Sequence, residues 1–161
     1  AALLATALDA IGDPYALHGF CSDGRHDVTY YPIKPFEGRF DDEARSRLAG
    51  MKGSHSTRMG AALRHAGRRL LEQPQRRKLL LVVTDGEPSD IDERDPQYLR
   101  RDTKKAVEEL RAKGVGCFCL TLDPHADRYV ERIFGANGYS IVDRVERLPE
   151  KLPQLFAELT G

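Results

Sequence analysis

Asp85 stands directly after the apolar run Leu79–Val83 and Thr84, and opens the loop Thr84-Asp85-Gly86-Glu87-Pro88-Ser89-Asp90. A carboxylate held at the end of a buried strand could ligate a hard cation or cap the next segment, and position alone leaves both open. Gly86 beside it would allow a sharp backbone turn. A second loop of the same kind, Thr121-Leu122-Asp123-Pro124, follows another apolar run. In open α/β sheets the loops after the carboxyl ends of strands are where ligands bind, so these two are the first places to look.

Other chemistries lack their signatures. Ser54, Ser56 and Ser89 have no nucleophile-elbow context, since Gly-x-Ser-x-Gly is absent, and no phosphate-cradling Gly-x-x-x-x-Gly-Lys loop occurs. His18, His26, His55, His65 and His125 show no ligand spacing, although His55 could touch a partner. Cys117 and Cys119 sit two apart in an apolar stretch, which puts both on one face of a strand and reads as buried core thiols. The acids Asp90, Asp92, Glu93 and Asp95 read as a solvated loop ending in a helix cap, with partner contact as the alternative. Arg64, Arg68, Arg69, Arg76 and Arg77 read as a hydrated helix face rather than an anion site. A phosphatase-like metal enzyme would need a second acid two residues after Asp85. Glu87 has that offset and Ser89 could follow it, but the second acid should be aspartate.

The elements that must position these loops alternate. Leu3, Leu4, Ala7, Leu8 and Ile11 have helical spacing that Gly12-Asp13-Pro14 ends. Tyr15–Phe20 and Val28–Phe36 read as two strands around a Cys21–Arg25 turn with an Asp-Gly step, and Pro32 and Pro35 put the second at a sheet edge. A short helix at Asp42–Ala49 is followed by a loop from Met51 to Ser56. The stripe Met59, Ala62, Leu63, Ala66, Leu70 then marks a long helix. Lys78–Thr84 is apolar on both faces and reads as the best core strand. Asp95 and Pro96 start a helix striped by Leu99, Thr103, Ala106, Val107 and Leu110, which Gly114 closes. Val115–Leu122 is a second buried strand, Asp127–Phe134 a short helix and Tyr139–Val142 a last strand. Leu152, Leu155, Phe156 and Leu159 stripe a terminal helix. This order predicts an α/β fold: a Rossmann-like, mostly parallel sheet with helices on both faces and one antiparallel edge strand.

The chain has 161 residues, about one domain's worth, with 25 basic and 25 acidic side chains. Zero formal charge gives no field favouring nucleic acid or an anionic membrane, and argues for protein partners. No apolar run is long enough to span a bilayer and no signal peptide is evident, so a cytoplasmic protein is expected.

A buried strand ending in Thr-Asp-Gly, downstream of a Ser-x-Ser-Thr loop that opens a helix, resembles the second half of the metal-ion-dependent adhesion site of von Willebrand factor A domains. Ser56–Ala66, Leu80–Asp92, Asp102-Thr103, Phe118–Asp123, Ile133-Phe134-Gly135 with Gly138-Tyr139, and Leu148–Thr160 are similar to the carboxyl-terminal domain of NorD and CbbO proteins. The likeness covers nearly the whole chain. It implies a single domain over 1–161 in which Thr57 and Asp85 are metal ligands for Mg²⁺ or Mn²⁺. A partner's Asp or Glu would complete the shell, and no catalytic residue is needed. It also implies an adaptor working with a MoxR-type AAA+ ATPase of the NorQ or CbbQ kind to activate a target enzyme, either nitric oxide reductase or rubisco. The Tyr129–Gly135 and Asp143–Pro149 stretches look more like CbbO, which leans towards rubisco.

The chain departs from that pattern in one respect. The Asp-x-Ser-x-Ser motif is absent, and the sequence begins where the helix after it would lie. An amino-terminally truncated fragment lacking the central first strand is expected, with the gap filled by another chain, by strand exchange or by a closed-up sheet. Self-association through the exposed sheet edges is a further possibility, and metal binding by the remaining pair should be weak. The alternatives from other classes are a metal-dependent hydrolase and a purely structural dimerisation domain.

Overall fold

The computed structural model describes residues 2–51 and 56–160. Ser54 and His55 lie outside the described residues, as do the side chains of Leu3, Leu4, Ala7, Phe156 and Leu159 in the two helical stripes. Helix α1 (Ala2–Ile11) ends at Gly12, whose φ of 83° is the left-handed value that glycine adopts without a Cβ penalty. Strands β1 (Leu17–Ser22) and β2 (Val28–Lys34) form an antiparallel hairpin. The expected turn is narrower, because Cys21 and Ser22 belong to β1, and Gly24 takes the left-handed position at φ 87°. Helix α2 (Asp42–Ala49) is capped by Asp41, whose carboxylate accepts the Ala44 N–H at 2.9 Å.

Helix α3 (Met59–Leu71), strand β3 (Lys78–Thr84), helix α4 (Pro96–Ala112) and strand β4 (Val115–Thr121) follow with the expected spacing. Asp95 caps α4 by accepting the Gln97 N–H at 2.9 Å, and all five positions of the α4 stripe are buried. The expected Asp127–Phe134 helix is a 3₁₀ turn at Ala126–Arg128 followed by α5 (Val130–Phe134). Strand β5 (Tyr139–Ile141) and helix α6 (Leu148–Thr160) complete the chain.

β3, β4 and β5 form a parallel sheet in that order, in register from Lys78 opposite Val115 to Thr84 opposite Thr121. One face packs Leu80, Val82, Cys117 and Cys119 against Met59 and Leu63 of α3 and Ala106, Val107 and Leu110 of α4. The other packs Phe118 and Leu120 with Leu8 of α1 and Leu152 of α6. The layers are therefore helix, sheet and helix.

The α/β class is the one expected, and two details differ. The hairpin does not extend the parallel sheet, and among the described residues no ladder joins β1 to β3, so the closed-up arrangement is not what forms. A cavity of about 740 Å³ lies between them, with Leu17, His18, Gly19 and Phe20 on one wall and Leu79–Val83 on the other. β3 is consequently not the most buried strand, since Val83 is 37% exposed, whereas six of the seven β4 residues are buried. Among the described residues β4 has a strand on each side and β3 on one, and periodicity cannot see which neighbours a strand has.

Burial pushes the thiols of Cys117 and Cys119 up, to about 11 and about 12, while Cys21 is half-buried. The thiolate is the nucleophile, so the two strand thiols should be inert. Under native conditions at neutral pH a thiol reagent is expected to label Cys21 alone, and all three cysteines after denaturation. Rapid labelling of two or three in the folded protein would contradict the buried β4.

Candidate metal-facing edge

The carboxyl ends of β1, β3 and β4 meet at one edge through the backbone. Ser22 at the end of β1 exchanges both hydrogen bonds with Ser56, each 2.9 Å. Thr57 does the same with Ser89: its N–H donates to the Ser89 carbonyl at 2.8 Å and its carbonyl accepts from Ser89 at 3.0 Å. Residues 56 and 57 thus run as a short strand-like bridge between the hairpin and the loop after β3. This ties Thr57 to the loop after β3 at Ser89, four residues beyond Asp85.

Asp85 itself sits at the apex of a tight turn. The Thr84 hydroxyl donates to the Gly86 carbonyl at 3.0 Å and lies 3.3 Å from the Gly86 N–H. Gly86 does not hold a left-handed conformation, and a Cβ there would meet open space, so the turn is shaped by Thr84 rather than by the glycine. Asp85 is exposed, and neither its carboxylate nor the Thr57 hydroxyl takes a hydrogen bond or ion pair among the described residues.

The other candidate acids at this edge are occupied. Glu87 receives both Nε and Nη2 of Arg100, at 2.9 and 2.6 Å. Asp123 accepts the His125 N–H at 2.9 Å and the Tyr129 hydroxyl at 2.8 Å, and these bonds, the backbone one foremost, hold its carboxyl below the usual range. Tyr129 is shifted upward, by burial first and then by Asp123.

The acidic loop corrects the sequence reading most. Asp95 is a helix cap, but Asp90 is not solvated: its side chain is wholly buried and bonded to Arg58 Nε at 2.7 Å. It also accepts the Gly24 N–H at 2.8 Å and the Ile91 N–H at 2.7 Å. Arg58 Nη2 reaches Asp92, which in turn accepts the Arg25 N–H at 2.7 Å. These bonds outweigh the cost of burial and keep the Asp90 carboxyl below the ordinary carboxylate value. Arg64 likewise is no hydrated bystander: it joins Asp102 at 2.9 Å and Glu109 at 3.2 Å, tying α3 to α4.

Nothing in the pattern of the chain singles out Arg58 except one local signal: it occupies the N-cap of α3, where Ser, Thr, Asp or Asn is preferred and where a cation opposes the helix dipole. Its acids lie 32 and 34 positions away, beyond any periodicity.

Among the described residues no group of three or more His, Cys, Asp or Glu side chains converges as a metal cluster. His18, Tyr30 and His65 form a ring stack instead, with centroids 5.0 and 4.2 Å apart. Among the described residues the edge offers a cation the Asp85 carboxylate and the Thr57 hydroxyl, both unengaged, with the Ser56 and Ser89 hydroxyls likewise free of side-chain hydrogen bonds. Such hard, sparingly charged donors suit an ion that keeps most of its waters. The donor set therefore fits part of a Mg²⁺ or Mn²⁺ shell. No described helix is long and apolar enough to cross a membrane.

The sequence profile of the von Willebrand factor type A domain matches residues 20–158. Among curated proteins the chain is similar to an uncharacterized protein of Pseudomonas aeruginosa, 43% identical over 98% of this chain and 26% of that protein. It is 40% identical to Protein NorD of Brucella melitensis over 99% of this chain and 25% of that protein. It is also 45% identical to Protein NorD of Stutzerimonas stutzeri, over 87% of this chain and 23% of that protein. The chain spans about a quarter of the length of these relatives. No solved structure matches it.

Proposed function

We propose, from the premise that the chain belongs to the von Willebrand factor type A domain family, that it is a non-catalytic adaptor module gripping a partner's carboxylate through a divalent cation shared by Thr57 and Asp85. The observation that supports this most is the Thr57–Ser89 backbone bridge. It ties Thr57, whose hydroxyl takes no hydrogen bond among the described residues, to the loop that carries the unengaged Asp85, while Asp90, Glu87 and Asp123 are spent on the protein's own bonds. A bound Mg²⁺ would supply a positive centre with exchangeable waters, which a partner's Asp or Glu can replace. Thr57 and Asp85 would hold it and orient its open side outward.

The partner we propose is a MoxR-type AAA+ ATPase. Of the two targets, nitric oxide reductase is now preferred over rubisco, because relatives at 40–45% identity carry the name NorD. The test is capture of a NorQ-type ATPase by the immobilised full-length protein, in Mg²⁺ and in EDTA. Capture is expected in Mg²⁺ and loss in EDTA, whereas capture that persists in EDTA would overturn the shared-ion mechanism.

The hydrolase reading is weaker. Its second acid, Glu87, is held by both nitrogens of Arg100 on a single oxygen, and Ser89 is bridged to Thr57.

A further inference from the structure

Arg58 joins the end of β1 to the segment that follows Ser89. It follows Thr57 directly, and its own N–H donates to the buried Ser22 hydroxyl at 3.0 Å, at the end of β1. Its guanidinium, only 11% exposed, spans Asp90 and Asp92 in the segment that leads away from Ser89. Those two carboxylates accept the N–H groups of Gly24 and Arg25, in the β1–β2 turn. The hairpin and the parallel sheet share no ladder among the described residues. At this end they are held together by the backbone bridge through residues 56 and 57 and by this one buried fork.

We infer that Arg58 is the positioning residue of the Thr57–Asp85 pair: it locks the Thr57 bridge to the loop after β3 and occupies Asp90 and Asp92. Asp85 is thereby left as the carboxylate available to a cation. The inference rests on the metal-binding reading given above. The chemistry asks for arginine, because a planar guanidinium can address two carboxylates at once along fixed directions, and a lysine ammonium is a point charge on a flexible stem. The two acids also offset the unfavourable placing of a cation at the amino end of α3.

The experiment compares Mn²⁺ affinity and amide exchange in the full-length protein and four variants. Asp85→Ala is the metal control. Arg64→Met is the structural control, since it breaks a comparable ion pair between α3 and α4 away from the Thr57 bridge. Arg58→Lys tests the fork. The double variant Arg58→Met/Asp90→Asn removes the fork without leaving a buried unpaired charge that could prevent folding.

The double variant is expected to lose Mn²⁺ affinity by about tenfold or more, in the range found when outer supports of metal ligands are removed. Arg58→Lys should recover only part of it, and Arg64→Met should show none of the loss. Exchange should quicken at the Thr57 and Ser89 amides while β4 amides stay protected, which a general loss of stability would not produce. If the wild type binds Mn²⁺, Asp85→Ala abolishes binding and both Arg58 variants bind normally, the inference is overturned and the metal reading stands. If the wild type binds no Mn²⁺, the metal reading fails and the positioning role falls with it.

Discussion

Asp85→Ala in the full-length protein is expected to abolish Mg²⁺-dependent capture of the ATPase and activation of the target enzyme, with an unchanged melting temperature. The two halves of this result have separate causes. Asp85 is exposed and contacts no other described side chain through a hydrogen bond or ion pair, so its loss should change stability by no more than about 0.5 kcal/mol, as for surface positions generally. In the proposed site it is the carboxylate left unoccupied among the described residues, so its removal should weaken cation affinity by at least about a hundredfold, the upper end of what supporting residues alone can cost. Asp85→Asn keeps an oxygen but not its charge, and should fall in between. Thr57→Ser should retain function where Thr57→Val does not, because the hydroxyl rather than the methyl group is the proposed donor. A melting temperature that drops with Asp85→Ala would reassign the residue to the turn, and unimpaired activation would remove it from the mechanism.

Asp90→Ala is expected to do the reverse, damaging the fold first. It leaves Nε of the nearly buried Arg58, which keeps only Asp92, and the Gly24 and Ile91 N–H groups unpaired, so the cost should approach the about 3–5 kcal/mol of breaking a buried pair from one side. That is a large share of the roughly 5–15 kcal/mol that holds a typical domain together. Asp90→Asn keeps the shape and one acceptor, and should cost less. Arg58→Met added to Asp90→Ala should restore part of the loss by removing the stranded charge, though not the part due to the two backbone donors. The pH dependence follows from the same carboxylate. Its folded pKa lies below the unfolded value, so the protein holds this stabilisation in full above about pH 4 and loses it as pH falls through the folded value. Urea denaturation midpoints measured from neutral pH down to acid should therefore fall more steeply for wild type than for Asp90→Asn. Equal slopes would show that the pair carries little of the acid sensitivity.

Much of the architecture was legible because it is written in local pattern. The α4 stripe, its Asp95-Pro96 start and Gly114 stop and the span of β3 all follow from spacing, capping and proline chemistry. The β1 boundary was drawn two residues early, because Cys21 and Ser22 look like turn residues until Ser22 is seen to be paired with Val28 and Ser56. The standing of β3 was misjudged for a different reason. Its sequence is that of a strand buried on both faces, and Leu79–Val83 instead line the cavity facing β1.

At the site, Thr57 and Asp85 come from family resemblance, and the Thr57–Ser89 bridge that ties Thr57 to the loop after β3 joins residues 32 positions apart. Asp90 was read as solvated because nothing within its own loop betrays a partner. The arginine that buries it sits on the far side of α3 and β3 in the sequence. Long-range ion pairs leave no periodicity, and the only trace here was a cation at an N-cap that should have been polar and small.

The most direct test of the shared-cation account is a calorimetric titration of Mg²⁺ and Mn²⁺ into this chain, beside a version extended at its amino terminus, each with and without Asp85→Ala. The account predicts weak binding by the chain itself, tighter binding by the extended protein and none wherever Asp85 is absent. Binding that survives Asp85→Ala, or no binding by either protein with Asp85 in place, would contradict it and leave the adaptor to recognise its partner through another surface.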